Sequence, residues 1–354
     1  MVREKRAGWK LWLLAAVLII LIFASFLMGR YPVSPGALLG ILLDRLLRGL
    51  GKLLAPVLPA AGSWGVRPFW DGSMETVAWN IRLPRILLSC MVGCCLSCAG
   101  AAFQGVFQNP MASPDILGAT NGAAFGAALA ILLGGGSLII TGSAFFSSIV
   151  CVLLAFLVSR VASGKRVMTL VLAGIMVGSL FSAATSFVKL VADPSNQLPE
   201  ITYWLMGSLS GATWREVGMA VVPMLVGLIP LCLVRWRMNV LTLGDEEART
   251  MGVNAGRVRR IVILAATLIT AASVAVSGMI GWVGLVIPHL SRKLVGNDFR
   301  RLLPASMLFG AAFLLAVDDV SRCLLATEIP IGILTAFIGA PFFIWLITRK
   351  GDAF

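Results

Sequence analysis

The chain has 354 residues, of which 58% are hydrophobic and only 13% are charged, and its formal net charge is +13. A soluble domain carries roughly 25% charged residues, so this composition excludes an ordinary water-soluble protein and predicts an all-α polytopic membrane protein. The excess positive charge does not indicate a nucleic-acid partner. Most Lys and Arg lie in short clusters between apolar runs, which is a membrane-topology pattern.

The first apolar run covers residues 11–28 and follows four basic residues. It is long enough to span a membrane, since about 20 residues cross the hydrocarbon. It resembles the hydrophobic part of a signal peptide, but no small-residue cleavage site follows Met28 cleanly. We therefore predict that this first membrane helix is retained.

Residues 31–80 form a long mixed loop, predicted to be extracytoplasmic, and residues 38–57 within it are basic and amphipathic. One face of this segment carries Asp44, Arg48 and Lys52. The segment is too charged to span, and its pattern is typical of a helix that lies along the membrane interface. Its apolar face consists of Leu39, Leu42, Leu43, Leu46, Leu50, Leu53, Leu54 and Val57.

Nine further apolar runs bring the predicted number of membrane spans to ten. They cover residues 86–106, 116–134, 138–159, 167–191, 217–234, 261–279, 282–295, 303–325 and 331–348. The run at 282–295 is the weakest, because it is short and contains Pro288. An even number places both termini on one side. If that side is cytoplasmic, it holds 19 of the 29 Lys and Arg, against eight on the other side, so cytoplasmic termini are predicted.

Four of the seven cysteines crowd one predicted helix, and they are Cys90, Cys94, Cys95 and Cys98. A buried metal or redox site is one interpretation of this group. The other is that the cysteines are small apolar residues at which helices approach closely, together with the neighbouring serines and glycines. The sequence favours packing, and no metal site is predicted.

The segment 241–253, LTLGDEEARTMGV, is polar and separates two long apolar runs. Its three acidic residues, starting at Asp245, fit the first turn of a short helix, where carboxylates complement the helix dipole. Gly252 fits the end of that helix. Two interpretations follow, namely a capped helix that passes force to a partner protein or a solvated loop that only connects two spans. The predicted topology places the segment in the cytoplasm.

Residues that could support catalysis are scarce. The sequence has one histidine, His289, and contains no GxSxG, HExxH or phosphate-loop motif, so neither an enzyme nor an ATP-binding chain is indicated. Asp318 and Asp319 lie late in the ninth span, but Arg322 follows within one turn and predicts local pairing rather than proton coupling. If the chain is a transporter, the scarcity of these residues means that its energy would come from a separate protein.

Seven motifs follow one another between about residue 81 and residue 350. They are IRLPR at 81–85, QNPMASPDILGATNGA at 108–123, VLAG at 171–174, YWLMGSLSGATW at 203–214, LTLGDEEARTMGV at 241–253, GWVGLVIPHLSR at 281–292 and IPIGILTAFIGAPFFIWL at 329–346. As a set they resemble the FecCD-type permease family, the membrane subunits of ATP-binding-cassette importers for iron-siderophore, haem and cobalamin. His289 matches the family's Pro-His pair, for which we predict a structural role.

The resemblance implies a type II importer-like permease of ten helices, a single domain over residues 1–354, working as a dimer of identical or related chains. Its partners would be two copies of an ATPase, which bind the ATP and Mg, and an extracytoplasmic substrate-binding protein. The chain itself would be no enzyme and hold no cofactor. Embedded in the lipid of a bacterial cytoplasmic membrane, it would move an iron-siderophore, haem or cobalamin across that membrane. The alternative is a self-sufficient secondary transporter or channel, which ATP dependence would distinguish.

The resemblance also assigns roles to particular residues on the cytoplasmic side. The loop 235–260 would couple to the ATPase through Gly244, Asp245, Glu246, Ala248, Arg249 and Gly252. Asn109 and Met111 match the first part of the inner gate. The second part departs from the family, because Val167 and Met168 stand where small hydroxyl residues can occur. We expect a more hydrophobic constriction there.

Three arginines match positions on the outer surface of the family, where they pair with acidic residues of the binding protein. The alternative for Arg82 and Arg85 is a side chain that reaches to the membrane interface and anchors the helix. For Arg322 the competing interpretation is a local pair with Asp318. The three predicted docking residues are Arg82, Arg85 and Arg322.

Overall fold

A computed structural model describes residues 2–29, 31–54, 64–161 and 166–348, and all regular elements in these ranges are helical. The expected all-α class is therefore confirmed for the described part of the chain. The helices are α1 (Val2–Leu27), α2 (Pro35–Leu54), α3 (Gly72–Thr76), α4 (Leu83–Phe107), α5 (Ala119–Leu132), α6 (Ser137–Val161), α7 (Arg166–Val191), α8 (Gln197–Leu205), α9 (Trp214–Leu241), α10 (Asp245–Thr250), α11 (Ala255–Ser277), α12 (Val283–Val295), α13 (Phe299–Cys323) and α14 (Ile331–Thr348).

Each of the ten predicted spans corresponds to one helix, but these helices differ in length and in their ability to cross a membrane. Seven are long and apolar enough, and they lie in Gly8–Leu27, Gly72–Phe107, Ser137–Val161, Met168–Val191, Trp214–Leu241, Ala255–Ser277 and Phe299–Cys323. Helices α5 and α14 are apolar but shorter. Helix α12 has 13 residues and carries Arg292 and Lys293 in its last turn. The chain is a multi-pass membrane protein, and the count of ten spans stays a prediction.

Helix α4 lies at the centre of the fold, where α9, α11, α12 and α13 pack against it. Small residues allow these helices to touch at their backbones. A Cβ added at Gly100 would lie 1.7 Å from the carbonyl oxygen of Gly284, and one added at Gly310 would lie 1.9 Å from Ser97 Oγ. Close backbone approach at small residues is the usual means by which membrane helices associate.

Helices α5, α6 and α7 form a second group, which packs on α11 through α5 and α6. The loop between α4 and α5 contains a short 3-10 turn, Pro114–Leu117, that packs against α7. A Cβ added at Gly174 of α7 would lie 2.5 Å from the carbonyl oxygen of Ile116. The loop after α4 is therefore held directly against α7.

The amphipathic segment is helix α2, which begins at Pro35, three residues before the predicted start. Its predicted end lies outside the described residues. Asp44, expected on the polar face, is only 2% exposed, and it accepts hydrogen bonds from Arg48 Nε and from the backbone N–H of Val66, both at 2.9 Å. Asp44 thus faces the chain, whereas Arg48 and Lys52 of the same predicted face are exposed. Exposed leucines form the outer face, and they are Leu39, Leu43, Leu46, Leu50, Leu53 and Leu54.

Candidate functional site

The predicted short cytoplasmic helix is present as α10, held between the ends of α9 and α11. It starts after Gly244, whose φ of 119° is one that residues with a side chain rarely adopt, and it ends before Gly252, with φ 74°. The backbone N–H of Gly252 donates to the carbonyl of Arg249 at 3.0 Å. The two glycines therefore provide the turns at both ends, as the sequence predicts.

An ion pair fixes α10 to the membrane helix that follows it. Arg259 of α11 donates from Nη2 to Asp245 Oδ1 at 2.9 Å and from Nη1 to Asp245 Oδ2 at 3.2 Å. The hydrogen bond and the charge of Arg259 hold the pKa of Asp245 below its ordinary value. Ala248 is fully buried beneath the helix. Asp245 and Ala248 therefore help to anchor α10, and sequence reasoning missed Arg259 as the partner of Asp245.

The outer surface of α10 presents a compact mixed patch to solvent. Glu246 and Arg249 are exposed, as expected for residues that face a partner. Two apolar side chains flank them, because Leu243 is 58% exposed and Met251 is 54% exposed. We call Leu243, Glu246, Arg249 and Met251 the coupling patch. Exposed apolar groups bordered by charges are typical of a protein-binding surface.

A side chain links the coupling region to the predicted inner gate. Gln108 follows the last residue of α4 in a left-handed conformation, with φ 50°. Its Nε2 donates to the carbonyl oxygen of Leu241, the last residue of α9, at 2.8 Å. The next residue, Asn109, accepts a hydrogen bond at Oδ1 from the backbone N–H of Met111 at 2.8 Å. The loop that begins at Gln108 is therefore tied to the start of the α10 connection.

The second part of the predicted gate lies at the start of α7. Met168 is 61% exposed, and nothing is described of the Val167 side chain. The loop that begins at Asn109 continues into the segment packed on α7 at Gly174, about 9 Å along the helix from Met168 at 1.5 Å per residue. The loop after α4 and the first turns of α7 are thus connected through the contact between Ile116 and Gly174, and the gate itself stays a prediction.

Helix α7 also exposes hydroxyl groups in the middle of an apolar span. Ser179, Ser182 and Ser186 are exposed. Ser179 and Ser186 donate their hydroxyls to the carbonyls of Ile175 and Ser182 within the same helix. Their side-chain oxygens remain as acceptors on the surface. A polar stripe on a spanning helix is expected to face protein or a water-filled path rather than lipid.

The outer arginines occupy a different environment from the one predicted. Arg85 is 8% exposed. Its guanidinium donates to Asp318 of α13 at 2.9–3.1 Å and to Glu328, in the loop after α13, at 2.8 and 3.0 Å. The carboxylates that pair with this arginine therefore belong to its own chain.

Arg82 and Arg322 are likewise buried and engaged within the chain. Arg82 donates to the backbone carbonyls of Phe26 and, at 2.5 Å, Tyr31. Arg322 pairs with Asp319 at 2.5 Å and donates to the carbonyl oxygen of Ser25 at 2.6 Å. The local pairing expected for Arg322 is present, with Asp319 rather than Asp318 as its partner. Helix packing thus encloses all three guanidiniums, and their docking to a binding protein stays a prediction.

The cysteine group lies in the packed centre. Cys95 and Cys98 stand three residues apart, but they are 1% and 0% exposed among small residues of α4. Their position agrees with the packing interpretation. His289 is also mostly buried, with its ring 6.4 Å from that of Phe342, and its Nε2 has no partner among the described residues.

The fold and site define a helical membrane protein with a short polar helix held between two spanning helices, and comparison with known proteins gives its family. The sequence matches the FecCD transport family over residues 17–349. This chain belongs to the FecCD transport family. The family comprises permease subunits of ATP-binding-cassette transporters, which are not enzymes themselves.

Relatives that are equally similar to this chain are named for different substrates. The molybdate import system permease protein MolB of Haemophilus influenzae is 42% identical over 77% of this chain and 81% of its own length. The cobalamin import system permease protein BtuC of Halobacterium salinarum is 42% identical over 78% of this chain and 74% of its own length. Overall identity therefore does not select the cargo.

A solved structure supports the same fold. It is described as an inward-facing conformation of a metal-chelate type ABC transporter. It is 37% identical to this chain, with a TM-score of 0.83, and the match covers 97% of this chain and 100% of that one. The whole helical arrangement is therefore shared, and not only the motif segments.

Proposed function

We propose that this chain is the permease subunit of an importer that moves a metal chelate across the cytoplasmic membrane of a bacterium. A separate ATPase, present in two copies, supplies the energy, and an extracytoplasmic binding protein delivers the cargo. The observation that carries this proposal is α10. A six-residue helix paired to α11 through Asp245 and Arg259 is suited to transmit displacement, because its motion is linked to that of the membrane helices on both sides.

The coupling patch is the proposed contact with the ATPase. Glu246 and Arg249 present opposite charges, and Leu243 and Met251 add apolar area at the rim. The glycines at 244 and 252 fix how far the helix projects. Displacement of α10 reaches the gate through the Gln108–Leu241 hydrogen bond. In this mechanism closure of the ATPase dimer shifts α9, α10 and α11 together and changes the gate at Asn109, Met111, Val167 and Met168.

The cargo path is proposed to lie between this chain and a second permease chain. The exposed serines of α7 favour this placement, since hydroxyl groups on a spanning helix are better satisfied beside water or cargo than beside lipid. The outer arginines enter the proposal in a changed role. The Arg85–Asp318 ion pair joins α4 to α13, and hydrogen bonds from Arg82 and Arg322 to backbone carbonyls add α1. Together they form one outer surface, on which the binding protein docks.

The cargo proposed is an iron-siderophore or a related chelate such as haem or cobalamin. The match to a metal-chelate type transporter over nearly the whole chain supports this class. The molybdate relative adds an oxyanion that the sequence motifs did not suggest. Cargo choice is therefore assigned to the binding protein more than to this chain.

Reconstitution into vesicles tests the proposal. The chain alone should accumulate none of a labelled ferric siderophore, haem, cobalamin or molybdate against a gradient. Addition of its ATPase and binding protein with ATP should produce accumulation of one of them. The matched control is the same vesicle with an ATPase that binds but does not hydrolyse ATP. Accumulation by the chain alone would establish the self-sufficient transporter instead.

A further inference from the structure

An apolar crevice lies between α1 and α9, away from the coupling patch and from the serine face of α7. Its volume is about 660 Å³, within the roughly 300–1,000 Å³ typical of small-molecule sites. Helices α4 and α13 form its floor through residues such as Met91, Cys94 and Met307, and Leu18 of α1 forms one wall. Leu225 of α9 lines the crevice and is 50% exposed. The crevice is therefore open at the side of the molecule.

The length of the crevice matches one leaflet of a bilayer. On α9 it is lined from Val221 to Cys232. These two residues are 11 positions apart, which is about 16 Å along the helix axis. Half of a hydrocarbon core of about 30 Å is close to this value. A single acyl chain is the occupant whose shape and lack of polarity fit such a slot.

A positive charge stands at one end of the crevice. Val221, Leu225, Leu228 and Cys232 follow one stripe of α9, and Arg235 continues that stripe one turn toward the cytoplasmic end. Arg235 is close enough to Cys232 to act on it electrostatically. It is half-buried and makes no hydrogen bond or ion pair with any described residue.

The other charged groups described at this end interact within the chain, including Arg301, whose charge acts on Asp298. Arg301 lies one turn before the crevice residue Pro304 on α13. Lys10 of α1 donates to the carbonyl oxygen of Leu294 at 2.6 Å. The nearby carboxylate of Asp298 already accepts hydrogen bonds from Asn239 and from the backbone N–H of Arg300. An anionic group at the mouth would complement the remaining positive charge.

We propose that this crevice binds an anionic phospholipid, with one acyl chain between α1 and α9 and the phosphodiester beside Arg235. The cytoplasmic leaflet supplies the lipid in the proposed orientation of the chain. The site stands on the apolar lining, the matching length and the charge at one end. It is independent of the cargo and of the proposed coupling to an ATPase. Its failure would therefore leave the proposed function untouched.

Native mass spectrometry of the purified full chain tests the headgroup. Titration with phosphatidylglycerol and phosphatidylcholine of identical acyl chains should show about fivefold preference for the anionic lipid, the effect of one arginine near an anionic surface. R235Q should abolish this preference, and R235K should keep it. The matched control is R237Q, which removes an exposed charge from another face of the same helix. Equal preference in R235Q and R237Q would overturn the headgroup assignment.

A second pair of variants tests the acyl chain. C232F places a ring inside the crevice and should reduce retention of both lipids, whereas L233F places the same ring on the neighbouring outer surface, where Leu233 is 77% exposed. Equal retention in the two variants would overturn the crevice as the site. A phosphatidylglycerol with a photoreactive acyl chain should crosslink the wild-type chain within residues 221–232. Crosslinking confined to other faces of α9 would also overturn it, whatever the stability of C232F.

Discussion

Arg85 shows how strongly one side chain of this protein depends on partners that are distant in sequence. Its guanidinium is shared between Asp318 and Glu328, which are 233 and 243 residues away. All of Asp318 and most of Arg85 are removed from solvent. Because a buried charge without its partner is strongly unfavourable, the pair acts as a requirement on the packing of α4 against α13.

Removal of one member of this pair should therefore be costly. We expect R85M to lower the stability of the purified chain by about 3 kcal/mol, the size typical of a broken buried pair. The double variant R85M/D318L should recover most of this loss, because it removes both buried charges. It leaves Glu328 without the arginine, but that side chain is 28% exposed and reaches water. Both effects are measured by heating the protein in detergent and recording the fraction that remains monodisperse.

The matched control is the solvent-exposed pair between Arg45 and Glu75, whose side chains are 41% and 30% exposed. R45M should cost less than about 1 kcal/mol, since water screens such a pair. Equal losses in R85M and R45M would contradict the importance assigned to burial.

At the scale of single elements, α10 separates residues that hold the helix from residues that are free to bind. Asp245 is paired with Arg259 and Ala248 is buried, whereas Glu246 and Arg249 are exposed without such contacts in the described part of the chain. E246K should therefore leave folding unchanged but reverse a charge in the coupling patch. Misplaced charge at an interface costs enough to weaken association with the ATPase at least about tenfold. Co-purification of the tagged chain with its ATPase measures this.

The control for this variant is R215E, which reverses an exposed charge in the first turn of α9, at the far end of that helix. It should leave the recovered ATPase unchanged. If E246K and R215E both retain full ATPase binding, the coupling patch is placed on the wrong residues. If E246K also lowers the melting temperature, Glu246 has a structural role that its exposure does not suggest.

What the sequence predicts about these elements depends on the distance over which the signal acts. The start and end of α10 follow from acidic residues and glycines within eight positions, and the Asp319–Arg322 pair follows from a spacing of three. The burial of Asp44 depends on a hydrogen bond from Val66, 22 residues later. The partners of Arg85 depend on which helices meet. Periodicity alone contains neither relation, so the burial of the outer arginines within their own chain could not be predicted from it.

For the molecule as a whole, the contacts place polar groups at two opposite ends. Lys10 meets the end of α12, and Asn239 at the end of α9 meets Asp298 before α13. These contacts put the start of α1 on the same side of the molecule as α10. Arg82 and Arg322 meet the other end of α1. The charge bias predicts that the α10 side is cytoplasmic.

Thiol labelling measures this orientation directly. Cys323 is an exposed cysteine at the end of α13 that lies next to Arg322, and Met251→Cys adds an exposed thiol beside α10. In intact cells a membrane-impermeant maleimide should modify Cys323 and leave the thiol at position 251 unmodified. After permeabilisation it should modify both, with peptide mapping to identify each site. The control is a cytoplasmic protein with an exposed thiol in the same cells, whose labelling would show that the maleimide has entered them. The reverse pattern would place α10 outside, where no ATPase could reach it, and would contradict both the orientation and the proposed coupling.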